Sequence, residues 1–127
     1  MLQRDYLVQM ISQFIQAIIN AKKTAETDPK AAADSLEGAI ANATDIDGAM
    51  LLSLSGESMA QVMQLSGVDE RVAGYIAHSL DQEAQYLEQA GEYDLASLRK
   101  DQAMHLSQTF QLDMDKIANE LDKESDL

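Results

Sequence analysis

From one end of this chain to the other, apolar residues recur three and four positions apart, and nowhere do they alternate every second residue. A half-buried strand needs that alternation, whereas an amphipathic helix needs the longer period. The expected fold is therefore all-α. Leu7, Ile11, Phe14 and Ile18 keep the helical rhythm, and Met10, Ile15 and Ile19 widen the stripe, so residues 2–25 read as one helix broad enough to touch two neighbours. Asp28 and Pro29 mark a new start, since Asp can cap a helix and Pro suits its first position. An Ala-rich helix follows over 30–43, with Ala32, Leu36, Ala39 and Ile40 on one side.

Thr44 to Gly48 reads as a turn, and 49–54 as a short apolar segment. Ser55 can cap a helix carrying Met59, Val62, Met63 and Leu65, with Glu57 in its first turn and Gly67 as its stop. Asp69 opens a longer helix to about Ala90, with Val72, Ile76, Ala77, Leu80, Ala84 and Leu87 facing inward, and Gly91 ends it. A last helix starts near Tyr93 with Leu95, Ala96, Leu98, Ala103, Leu106 and Phe110. Ile117 and Leu121 continue its spacing, which predicts one helix to about residue 121. The acidic end, 122–127, opposes the helix dipole and is expected to fray. The expectation is a single helical domain over 1–127, with five or six helices in consecutive antiparallel hairpins.

Composition narrows the function. The 127 residues hold 9 Lys and Arg against 22 Asp and Glu, a net charge of −13. Nucleic acid and anionic membrane surfaces need a cationic footprint, so neither is an expected partner. Cys is absent, which removes disulfides, thiolate metal sites and thiol nucleophiles. Gln9, Ser12, Gln13 and Gln16 interrupt the opening apolar run, unlike a secretory signal or a membrane span, and a cytoplasmic location is expected. Arg4, Lys22 and Lys23 against Asp5 give the first helix +2 and leave −15 on the remainder.

Ala32, Leu36 and Ala39 share a spacing with Ala96, Lys100 and Ala103, 64 residues on, close to twice the ~34-residue tetratricopeptide period. Gly91, Glu92, Tyr93, Asp94, Leu95 and Ala96 resemble the turn and second-helix start of such a repeat. Leu80, Ala84 and Leu87 match its first helix. The resemblance covers about residues 77–106 and implies a hairpin at 69–110, with small residues letting the helices approach and the aromatic Tyr93 plugging the gap. Lys100 and Glu83 stand where the repeat carries large apolar residues, and no Pro closes the unit. The opening Met1, Leu2, Gln3, Arg4, Asp5 and Tyr6, with Phe14, resemble a family of small Gram-positive bacterial proteins with no assigned activity. That resemblance implies a helical chain, tetratricopeptide-like toward its C-terminus.

Catalytic patterns are missing. Asp101 and His105 lie one turn apart, as in a metal half-site, but His78 is the only other imidazole and Gln82 follows it at the fourth position. The Glu-x-x-His of di-iron bundles is absent. Asp45, Ile46, Asp47 and Gly48 resemble part of a calcium loop, but Ala43 and Leu54 would then fill its first and last ligand positions. Ser97-x-x-Lys100 lacks the companion motifs of a serine acyl-enzyme. Asp69/Glu70 and Asp113/Asp115 are acid pairs in a chain rich in acids. No cofactor, metal or catalytic residue is expected. The reading is a non-catalytic protein-interaction module that binds a protein or peptide and forms a homodimer. Its candidate surface is Leu7, Ile11, Phe14, Ile18, Met59 and Met63, because Met surfaces adapt to varied partners; the plainer reading makes the methionines core filler and packs the first helix within the bundle. The alternative is a small-ligand or metal-binding bundle centred on Asp101 and His105.

Overall fold

The computed structural model describes the backbone of residues 2–44 and 46–125, and the side chains of 6–44 and 46–123. Among the described residues there are seven helices and no strand: α1 (Leu2–Ala25), α2 (Pro29–Ala43), α3 (Gly48–Ser53), α4 (Gly56–Leu65), α5 (Glu70–Gln89), α6 (Tyr93–Thr109) and α7 (Met114–Ser125).

Caps explain most boundaries. Asp28 accepts from the Ala31 N–H at 3.0 Å, Ser55 from Ser58 at 3.2 Å and Asp69 from Arg71 at 2.8 Å, each satisfying a donor that the first helical turn leaves open. Asp47 caps α3 through the Ala49 N–H at 3.0 Å. At the other ends, Gly67 and Gly91 take positive φ, and the next residue's N–H returns to the last turn: Val68 to the Met63 carbonyl and Glu92 to the Leu87 carbonyl.

The expected continuous helix past Phe110 is broken. Gln111 adopts φ +53°, and Leu112 donates to the Ser107 carbonyl at 2.9 Å. This is the geometry that ends α4 and α5, built here without glycine. Asp113 then caps α7 through the Lys116 N–H at 3.1 Å. The backbone stays helical through Ser125 in the segment expected to fray. Asp126 and Leu127 lie outside the described residues.

The packing departs from a series of consecutive hairpins. α1 pairs with α2 and α5 with α6, and α2 lies against α5 to join the pairs. Between them, α3 and α4 make an excursion that ends with α4 along α6, not along α3. α3 has only six residues, and it buries Leu51 and Leu52. Gly56 permits the α4–α6 approach: a Cβ there would stand 2.3 Å from the Asp101 carbonyl oxygen. Leu36, Ile40, Leu51, Met59, Met63, Ile76, Leu80, Leu87 and Leu106 are fully buried in one continuous core. α7 covers one end of α5, where Ile117 reaches over Gly74.

Gly38 has no such role. It sits inside α2, and a Cβ there would meet nothing within 4 Å. Gly38→Ala should raise stability by about 0.5–1 kcal/mol by restricting the unfolded chain. A higher urea midpoint at unchanged slope is the expected reading.

Candidate functional site

The first helix carries the feature that stands out. Residues 6–21 contain no Asp, Glu, Lys or Arg, in a chain where 24% of residues are charged. Phe14, Ile18 and Ala21 are buried along the helix's inner line. Leu7, Met10, Ile11 and Ile15 are half-buried beside it. At about 100° per residue, Val8, Ile15 and Ile19 fall in a narrow arc roughly 120° round the helix from Phe14. Val8 is 54% exposed, whereas Ile15 and Ile19 are half-buried, Ile15 against the core. α1 therefore buries one line of apolar residues against α2, touches α5 and α7 as well, and of the second line leaves Val8 exposed with Ile15 and Ile19 only partly so. Ser12 and Gln16 border that line, and Gln16 donates to Asn20 at 3.1 Å. Uncharged amides and hydroxyls replace the charges that usually coat an exposed helix face.

The other flank of α1 forms clefts with α2. One of about 300 Å³ is lined by Met10, Gln13, Ala17, Ser35, Gly38 and Asn42, among others. A second, of about 440 Å³, opens between Tyr6, Met10, Ile46, Val68 and Asp69. Met10 is common to both.

The six residues expected to make one surface do not. Phe14 and Ile18 are core residues. Met59 and Met63 are fully buried where α4 meets α6, so no methionine groove exists there for a partner. Only Leu7 and Ile11 retain partial exposure. Leu65, expected inside, is 88% exposed. The repeat positions Leu80, Ala84, Leu87, Ala96 and Ala103 are buried and Gly91 makes the turn, but Tyr93 is 68% exposed and plugs nothing.

Asp101 and His105 serve the α4–α6 contact. Asp101 Oδ2 accepts from the Gly56 N–H at 2.8 Å, closing the start of α4 from a distance in sequence. His105 Nδ1 lies 3.0 Å from the Asp101 carbonyl oxygen and 3.3 Å from its carboxylate, so an Nδ1–H serves both. Among the described residues no three His, Asp, Glu or Cys side chains gather as a metal would require. Of the calcium-like loop, Asp45 lies outside the described residues and Asp47 is a helix cap. Ser97 is exposed, and Lys100 pairs with Glu88 at the surface. His78 is half-buried on α5, where burial pushes its imidazole down and Asp122 of α7 pulls the other way.

One cluster was not foreseen from the sequence at all. Arg99 is buried on the inner face of α6 and binds three other elements at once. Its Nε donates to Glu83 of α5 and its Nη2 to Glu37 of α2 at 3.2 Å. Nη1 donates to the Leu52 carbonyl at the end of α3, at 2.7 Å, and to Gln102 Oε1 at 3.0 Å. Gln102 Nε2 in turn donates to the Leu52 carbonyl at 2.9 Å and the Leu54 carbonyl at 2.7 Å. These carbonyls end a short helix inside the protein and would otherwise be left open. Glu83 is fully buried, and its Oε1 finds no donor. Burial pushes its carboxyl up to about 8, against the pull of Arg99 and with a further push from the facing Glu37 carboxylate. A proton on Glu83 Oε1 can be donated to Glu37, which satisfies the orphaned oxygen. The sequence signal was Glu83 itself, an acid within an otherwise apolar stripe.

No family model, curated protein or solved structure matches this chain. The side chains of residues 2–5 and the whole of Met1, which carry most of the resemblance to the Gram-positive family, lie outside the described residues. No helix among the described residues is long and apolar enough to cross a membrane.

Proposed function

We propose that this chain is a non-catalytic protein-interaction module and that α1 is its contact surface. The observation that carries the reading is the uncharged stretch 6–21, with Tyr6 and Val8 exposed and Ile15 and Ile19 half-buried, on a protein of net charge −13. A helix whose only task is to cover a core leaves charges on its outer side. An outer side of isoleucine, valine, glutamine and serine suits a surface that is dry part of the time. The tetratricopeptide-like reading of α5 and α6 belongs with this proposal, supported by the buried small residues Ala84, Ala96 and Ala103 at their contact. In this reading α5 and α6 are the frame and α1 is the face.

A photo-crosslinking residue placed at the exposed Ser12 tests it, with the same residue at the exposed Gln64 of α4 as control. In cells making the full chain, Ser12 should give adducts whose cross-linked peptides map to a defined protein segment, and Gln64 should give none. Adducts from Gln64 alone, or a small molecule retained by the purified chain in place of any protein adduct, would remove α1 as the contact surface.

A further inference from the structure

We propose that the Val8–Ile15–Ile19 stripe is a homodimer contact, in which two copies of this chain pair their first helices antiparallel across a two-fold axis. The inference rests on α1 being the contact surface and adds the identity of the partner.

Charge selects a second copy. Two bodies of −13 repel wherever their acidic surfaces meet. The 16 residues from Tyr6 to Ala21 are the longest uncharged run in the chain, so a contact centred there sets no carboxylate of α1 against another. A basic partner of another kind would gain most from the acidic surface elsewhere, and α1 gives it no carboxylate between Tyr6 and Ala21.

The ends of the helix add complementarity. Tyr6 shares a cleft with Asp69 at the start of α5, and Lys22 shares one with Gln82, Gln85 and Gln89 near its end. α1 and α5 thus run the same way, with the exposed acids Asp69 and Glu70 near one end of α1, Asp69 paired with Arg71 at 3.7 Å, and the exposed bases Lys22 and Lys23 at the other, beside Glu26. Neither lysine has an ion-pair partner among the described residues. A two-fold axis near the middle of the stripe turns one copy end for end. It brings the lysines of each copy toward the acids of the other, and symmetry supplies the attraction twice.

Sedimentation of the full chain over a wide concentration range is the test. The expected result is a reversible dimer that Val8→Glu weakens at least tenfold while the circular-dichroism spectrum stays unchanged, and the melting midpoint is unchanged only at concentrations where both chains are monomeric. Lys22→Glu with Lys23→Glu should weaken it as well, and adding Glu70→Lys should recover part of the loss. A chain that stays monomeric throughout, or a dimer indifferent to Val8→Glu, overturns the proposal. A monomer whose Ser12 probe still links to another protein overturns the second copy alone and leaves the interaction module standing. A monomer with no adduct removes both.

Discussion

Arg99→Met should cost about 1–3 kcal/mol of stability at neutral pH, the usual loss when buried acceptors are left without their donor. For a domain of this size that is a large share of a total of about 5–15 kcal/mol. The loss comes from what stays behind. Glu83 remains at zero exposure without its guanidinium, and the Leu52 carbonyl keeps only Gln102. A methionine fills the volume, so packing is not the cause. The check is a urea titration in which the midpoint falls while the slope is retained. Arg99→Lys should fall between the two, because an ammonium cannot fork to Glu83, Glu37 and a carbonyl together. Pairing Glu83→Leu with Arg99→Met should recover most of the loss, since the pair then leaves the core together. A single mutant as stable as the parent would show that the cluster contributes nothing to holding α2, α3, α5 and α6 together.

The second expected result concerns pH. The Glu83 carboxyl titrates at about 8 in the folded chain, against an ordinary 4.5. The folded state therefore holds this proton more tightly than the unfolded state does. Its contribution is complete below pH 4.5 and is lost as the pH rises through 8. Between pH 5 and 9 the parent should lose on the order of a few kcal/mol, read as a falling urea midpoint. Glu83→Gln cannot ionise, still accepts from Arg99 and can donate toward Glu37. It should flatten the slope and match or exceed the parent at pH 9. A parent midpoint that rises over this window would mean that Glu83 is ionised in the fold.

The sequence disclosed its helices well because their ends are written in side chains that act locally. Asp28, Ser55 and Asp69 cap through the first turn, and Gly67 and Gly91 take the left-handed backbone that other residues resist. Gln111 was missed for the same reason. It adopts that backbone at some strain, and nothing in its identity announces it. What stayed hidden was long-range. Asp101 caps α4 from 45 residues away, and Arg99 reaches Leu52 across 47. No periodicity within one helix shows such a partner. The same gap misplaced the candidate surface. Met59 and Met63 follow an amphipathic stripe, and whether another helix covers that stripe depends on where α6 lies. The width of the α1 stripe was legible as a helix with more than one neighbour, and α1 does touch α5 and α7 besides α2.

The proton held on the buried Glu83 changes what kind of reaction folding is. At neutral pH the folded chain carries one negative charge fewer than the −13 its composition counts. Melting ejects that proton into the surrounding buffer. The calorimetric heat of unfolding should therefore shift with the ionisation enthalpy of whichever buffer takes it up.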